Sequence, residues 1–255
     1  MAEETVIEVR DLAIGYEDRT VLHDLNFAVR HGEIFFIMGD SGCGKSTLLK
    51  HLIGLYRPKH GEIKLYGRSM VNAGTEERKQ LMRRFGVTYQ GGALFGSMTV
   101  GENVAFPLRE FTKMSEAEIA ATVKEKLRLV DLDGFENCLP GELSGGMKKR
   151  AGLARSLALD PELLFFDEPS AGLDPLSSAA LDRLIRKLRD QIGATVVIVS
   201  HELDSIFSIA DRAILLSKKT GTMAAIGNPY ELRRDSQNPW VRQFLSRDGE
   251  VRQGD

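Results

Sequence analysis

Gly39-Asp-Ser-Gly-Cys-Gly44-Lys45-Ser46 satisfies the spacing GxxxxGK[ST]. Glycines at those places let successive backbone N–H groups turn toward one anion, the lysine adds a point charge, and the hydroxyl beside it can ligate a divalent cation. That is the chemistry of holding a polyphosphate. Gly39, Ser41, Gly42, Cys43, Gly44, Lys45, Ser46 and Thr47 form the expected cradle, with Ser46 as a ligand for magnesium. Cys43 sits beside a helix start, a setting that favours thiolate, or it is a small residue without chemistry. A second constellation is Leu163-Leu-Phe-Phe-Asp167-Glu168, an apolar run ending in two adjacent carboxylates. Asp167 is placed to hold magnesium through water and Glu168 to orient an attacking water, the positions needed to hydrolyse a terminal phosphoryl group.

A third stretch, Leu143-Ser144-Gly145-Gly146-Met147, precedes a basic helical pattern read as Lys148 to about Leu159. Small residues at a helix start leave N–H groups open to an anion. Lys148, Lys149 and Arg150 in the first turn of such a helix oppose its dipole by roughly 0.3–1 kcal/mol each. Either a nearby polyphosphate reverses that penalty or the three form a solvated basic face.

These residues need strands that end at them and helices that start from them. The runs Glu33–Met38, Gly86–Tyr89, Leu163–Phe166, Thr195–Val199 and Arg212–Leu216 are continuously apolar and alternate with helical stretches, the pattern of a parallel sheet covered on both faces. Lys45 to about Ile53 supplies the helix that the phosphate loop requires. Val6–Val9 and Val21–Val29 flank the turn-rich Tyr16-Glu-Asp-Arg and are expected to pair antiparallel. Residues 91–159 contain no strand pattern; within them Ser115 and Glu118 form a capping box ahead of Ile119, Val123, Leu127 and Val130. Asp174 is read as a cap, Pro175 as the first helical residue, Leu176, Leu184, Ile185 and Leu188 as one buried face, and Gly193 as the stop. The expected architecture is one α/β domain over residues 1–246, with a core at about 1–90 and 160–236 and a helical subdomain at about 91–159. Residues 237–255 are read as a short helix with Trp240 and a polar tail.

With 34 Lys and Arg against 36 Asp and Glu, the net charge of −2 lacks the basic excess of a nucleic-acid binder. Apolar runs such as Ile34–Met38 and Ala194–Val199 fall far short of the roughly 20 residues of a membrane-spanning helix. The acidic Met1-Ala-Glu-Glu start has no signal-peptide pattern, and Cys43 and Cys138 make neither a disulfide framework nor a zinc motif, so a cytoplasmic location is expected.

The phosphate loop at 39–46, Gln90 after a strand, LSGGM at 143–147, LLFFDE at 163–168, SAGLD at 170–174 and His201 after a strand resemble, in order and spacing, the ATP-binding-cassette ATPases. The resemblance runs from Tyr16 to about Leu232. It implies a P-loop NTPase fold of the RecA-like kind, with a mainly parallel sheet, an N-terminal antiparallel β layer and an inserted helical subdomain. It also implies ATP and magnesium as ligands and a head-to-tail homodimer sandwiching two ATP. By that carry-over Tyr16 stacks on adenine, Gln90 senses magnesium and water, and His201 contacts the γ-phosphate. Ser144, Gly145 and Gly146 serve the opposite site, and Asp174 lies at the dimer seam. Met147 stands where the common signature has Gln, which removes an amide.

Gln90-Gly-Gly-Ala-Leu-Phe-Gly-Ser-Met-Thr-Val-Gly-Glu-Asn-Val-Ala-Phe-Pro-Leu108, LSGGM and Ser200-His-Glu-Leu-Asp-Ser205 look like the ATPases of the Mla and related MCE lipid-transport systems. That resemblance implies attachment to two copies of a permease at the cytoplasmic face of the bacterial inner membrane. It further implies a periplasmic MCE-domain ring, a small cytoplasmic regulatory subunit, and phospholipid carried by the partners. The alternatives are an amino-acid or small-solute importer and a soluble cassette ATPase. Phe95, Val104, Phe106 and Leu108, in the segment that grips the permease helix in the family, are either core or docking groove.

Overall fold

The computed structural model describes residues 4–246; the polar tail expected from Arg247 lies outside the described residues. In chain order the elements are β1 (Thr5–Tyr16), β2 (Arg19–Arg30), β3 (Ile34–Gly39), α1 (Lys45–Leu52), β4 (His60–Leu65), β5 (Arg68–Ser69), α2 (Thr75–Arg83), β6 (Phe85–Thr88), α3 (Val100–Phe111) and α4 (Glu116–Leu129). Next come α5 (Gly145–Ser156), β7 (Leu163–Asp167), α6 (Pro175–Ile192), β8 (Thr195–Val199), α7 (Leu203–Ile209), β9 (Arg212–Ser217), β10 (Thr222–Gly227), α8 (Pro229–Asp235) and α9 (Pro239–Ser246). The chain divides into two compact units, one built from the chain up to Val71 and from Ser200 onward, the other from Asn72–Val199.

In the first unit β2, β1, β4 and β5 form an antiparallel sheet in that order, with β1 central between β2 and β4. Ile7, Val9, Leu12 and Ile14 of β1 are buried, as are Leu22, Leu25, Phe27 and Val29 of β2, so one face of this twisted ribbon is apolar. β3 runs parallel to β9, and β10 returns antiparallel along β9. All six residues of β3 are buried, which leaves its two ends as the places where polar groups can appear. At one end Arg212 bonds both carboxylate oxygens of Glu33 at 3.2 Å and the Ala28 carbonyl at 3.2 Å. Burial still pushes the Glu33 carboxyl above its ordinary range, against the pull of Arg212.

In the second unit β6, β7 and β8 are parallel, in register from Phe85 opposite Leu163 to Asp167 opposite Val199. The helical stretch expected over 91–159 contains α3, α4 and α5 and no strand. The capping box at Ser115 forms: Ser115 Oγ accepts from the Glu118 N–H at 3.4 Å, and Glu118 Oε2 accepts from the Ser115 N–H at 2.7 Å. Asp174 and Gly193 bound α6 as expected, with Gly193 left-handed at φ 66°. Its buried face is Leu181, Leu184, Ile185 and Leu188, whereas Leu176 is 82% exposed, because the first turn projects beyond the packed part of the helix. β4, β5, β10, α2 and α8 carry weaker patterns and add to the elements read from the sequence.

Removing the cap at α4 leaves its first N–H groups without that acceptor, so Ser115→Ala lowers Tm by about 2–4 °C with unchanged ATP affinity. Paired thermal melts and nucleotide titrations check both halves of that expectation.

Candidate nucleotide site

The 39–47 segment links a buried strand to a helix, and its shape is enforced sterically. Gly39 sits at φ 143°, and a Cβ there would lie 2.2 Å from the Leu216 carbonyl oxygen of the neighbouring β9. Only a residue without a side chain lets β3 end against β9 and turn at once. Gly44 caps α1 without a side-chain hydrogen bond, so no side chain competes for the first N–H groups of that helix. These are donors of the kind that bind phosphate. Lys45 is buried, and its Nζ donates to the Gly39 carbonyl at 2.9 Å and the Asp40 carbonyl at 3.1 Å, which folds the ammonium back over the loop. Ser41 and Gly42 are exposed on the rim, and Thr47 is buried behind it.

Cys43 is buried, and desolvation pushes its thiol above the ordinary range despite the charge of Lys45 nearby. Burial thus accords with the reading of Cys43 as a small residue without chemistry and weighs against the thiolate alternative. Tyr16 ends β1 as a residue 44% exposed, with its hydroxyl 2.9 Å from Thr47 Oγ1 and its ring edge-on to Tyr56 at 5.7 Å between centroids. The tether to α1 fixes an aromatic face on the same unit as the loop. Tyr56 is not marked by any sequence motif; an exposed aromatic just after a helix is the available signal. His201 begins the return of the chain to this unit, exposed, with Nε2 3.9 Å from Glu202 Oε1.

The second unit carries the remaining candidates. Thr88 is paired with Phe166, so the parallel register brings the residues after β6 and those after β7 to the same end of the sheet. Gln90 is exposed there. Tyr89 is raised above the usual phenol range by burial and by the charge of Asp167. Glu168 adopts φ 49°, uncommon for a non-glycine residue, and its N–H is held by the Val199 carbonyl at 2.8 Å. Among the described residues no three His, Cys, Asp or Glu side chains converge on one point. Ser46, in the first unit, and Asp167, in the second, are the hydroxyl and carboxylate expected from the sequence to serve magnesium, an ion that binds through few protein donors when substrate phosphates complete its shell.

Ser144 is the cap of α5, its Oγ accepting from the Met147 N–H at 3.3 Å. A hydroxyl so used keeps its proton for an outside acceptor. Gly145 and Gly146 open the helix with almost no heavy atoms around their missing Cβ positions; nothing lies within 4 Å of that of Gly145, and Leu173 Cδ2 lies 4.0 Å from that of Gly146. The helix thus starts three residues earlier than the sequence pattern suggests, and Lys148, Lys149 and Arg150 leave the first turn. Arg150 pairs with Asp131 at 2.9 Å, and Lys149 is buried with backbone partners, so these two have partners within the chain. Asp174 accepts from the N–H groups of Leu176 and Ser177 at 3.0 Å each and from Ser177 Oγ at 2.5 Å, contacts that hold its carboxyl below the usual range.

The apolar residues after Gln90 divide between core and surface. Val104 and Leu108 are core, whereas Phe95 is 45% and Phe106 36% exposed. The two rings, 5.2 Å apart, line a groove of about 380 Å³ with Met82, Pro107, Phe111 and Arg155. Asn103, fully buried, holds the groove's loop by accepting from the Phe95 N–H at 2.8 Å and donating to the Phe95, Met98 and Thr99 carbonyls.

Against known proteins, the ABC transporter family model matches residues 22–171. The chain is 44% identical over 240 residues to the "Probable ribonucleotide transport ATP-binding protein mkl" of Mycobacterium leprae, covering 94% of this chain and 68% of that one. It is 41% identical over 251 residues to the "Intermembrane phospholipid transport system ATP-binding protein MlaF" of Haemophilus influenzae, covering 98% and 94%. Among solved structures it is similar to cbiO1 of Clostridium perfringens, part of the ABC transporter complex cbiONQ, with TM-score 0.82, 28% identity and 90% of each chain covered. It is also similar to a dimeric post-hydrolysis state of the ATP-binding cassette MJ0796 bound to ADP and Pi, with TM-score 0.77, 28% identity and coverage of 87% and 98%.

A side chain at position 39 both meets Leu216 and takes a conformation costing about 1–3 kcal/mol. Gly39→Ala is therefore expected to weaken ATP binding by about tenfold or more, read by equilibrium titration with a fluorescent ATP analogue on protein whose folding is verified by circular dichroism.

Proposed function

This chain belongs to the ABC transporter family, and we propose that it is the ATP-hydrolysing subunit of a phospholipid transporter of the Mla type, working as a head-to-tail homodimer against two permease subunits at the inner face of the bacterial inner membrane. The observation that carries this reading is the sterically fixed loop from Gly39 to Lys45 in a chain matching 94% of the length of a phospholipid transport ATP-binding protein. No helix among the described residues is long and apolar enough to cross a membrane; in this reading the permease subunits tie the chain to the bilayer. The Phe95–Phe106 groove offers an apolar seat for a cytoplasmic helix of the permease. A periplasmic MCE-domain ring and a cytoplasmic regulatory subunit complete the assembly in this reading.

In the reaction, the loop N–H groups and Lys45 hold the β and γ phosphates of ATP, with Tyr16 on the adenine. Ser46, Asp167 and Gln90 would hold magnesium, which would supply charge neutralisation on the phosphate oxygens. Glu168 orients the attacking water, and His201 contacts the γ-phosphate. Ser144, Gly145 and Gly146 present a hydroxyl proton and helix-start amides to the ATP of the opposite subunit, beside Asp174 at the seam. Met147 contributes no amide there; its backbone N–H is already spent on Ser144. Closure of the dimer around ATP moves the permease only through unequal affinity for its two states, and hydrolysis releases the closed form.

The mycobacterial likeness favours a second reading in which the same motor serves a small solute. Affinity purification from native membranes in mild detergent, with mass spectrometry of co-purifying proteins and lipids, separates the two. An MCE-domain protein and phospholipid are expected; a solute-binding protein with its own permease replaces the cargo and keeps the motor.

Glu168→Gln retains ATP binding and lowers kcat by about 10²–10⁴-fold, the usual effect of losing a water-orienting carboxylate. It accumulates as a closed dimer with ATP by size-exclusion chromatography, and near-normal turnover removes the role given to Glu168.

A further inference from the structure

Lys149 lies on α5 little more than a turn beyond Ser144, and only 9% of it is exposed. Its Nζ donates to the Pro169 carbonyl at 2.6 Å and the Ala171 carbonyl at 2.5 Å. Those carbonyls belong to the turn just past Glu168, a turn closed by Ala171 N–H on the Glu168 carbonyl at 3.2 Å and Leu173 N–H on the Ser170 carbonyl at 3.0 Å. Around the lysine the walls are mostly apolar: Leu153, Phe166, Leu181 and Ile185, with Thr88, enclose a cavity of about 10 Å³, room for one water at most. Burial draws its ammonium below the ordinary range, with the Glu168 carboxylate pulling the other way.

An ammonium in such surroundings is costly unless its protons are spent on acceptors. A leucine or methionine would fill the same space without that cost, so the charge is there for the two carbonyls. The turn has a reason to need it: Glu168 is held at φ 49°, a conformation that persists in a non-glycine residue only where the surroundings impose it.

We propose that Lys149 is a positioning residue for hydrolysis, fastening the start of α5, which bears Ser144–Gly146, to the turn that sets Glu168. One subunit's carboxylate for its own ATP and its hydroxyl for the opposite ATP are then parts of a single rigid piece. This rests on the roles proposed for Glu168 and Ser144.

The test compares Lys149→Met, Lys149→Gln and Lys149→Arg with Glu168→Gln and Ser144→Ala in the full chain. For each, kcat per bound nucleotide, KM and the Kd for ATP are measured. Lys149→Met is expected to lower kcat about tenfold or more, as loss of a buried charged hydrogen-bond donor does, with the Kd for ATP within about twofold. Lys149→Arg, which can donate to both carbonyls, returns kcat to within about threefold of the parent, and Lys149→Gln lies between. A kcat within about twofold of the parent in Lys149→Met, or a fall matched by an equal loss of bound ATP, overturns the proposal. If Lys149→Met does not fold, Lys149→Gln with parental kcat overturns it equally. Full activity of Glu168→Gln and Ser144→Ala shows instead that the underlying assignment has failed.

Discussion

β3, β7 and β8 are buried along nearly their whole length, and a strand with no wet face can carry polar chemistry only where it stops. That constraint decides where the reactive groups stand. β3 stops at Gly39 and delivers the chain into the phosphate loop; β7 stops at Asp167 and delivers Glu168. The apolar side chains that make these strands insoluble on their own also make their ends rigid, and a site for charge stabilisation gains from donors that do not have to be reorganised when the substrate arrives.

Helix starts supply the complementary charge. α1, α5 and α6 begin within the segments to which the proposed chemistry is assigned, and each treats its first N–H groups differently. α1 is capped by a glycine and offers amides outward. α5 is capped by Ser144, which still has a proton to give. α6 has its first amides taken by Asp174, whose carboxylate also receives the Ser177 hydroxyl. Asp174 therefore shapes the entry to α6 and is itself held in a fixed position.

Much of this was legible in the residues. The phosphate loop was legible because steric and charge requirements fall on consecutive positions, and β3, β7 and β8 because burial on both faces leaves an uninterrupted apolar run. Local signals also placed the caps at Ser115 and Asp174. What escaped reading has identifiable causes. β10 is half-buried throughout, and its short apolar run Met223–Ile226 has two alanines at its centre and few β-formers, while Pro107 inside α3 obscures a helix that packing sustains. Gly145 and Gly146 have poor helix propensity, which hid the true start of α5 and misplaced three cations. The partners of Lys149 lie 20 and 22 residues away, and no periodicity within α5 points to them.

The contact between Gly152 of α5 and the loop after Gln90 has a mechanical meaning. A Cβ on Gly152 would fall 2.8 Å from the Gly92 carbonyl oxygen and 2.9 Å from its Cα, and Arg155 donates to the Gly92 carbonyl at 3.0 Å and the Ala93 carbonyl at 2.7 Å. Main chain rests on main chain, with no rotamer between to absorb movement. A joint of that kind has no backlash: a push on the loop that bears Phe95 either carries α5 along or breaks the contact outright.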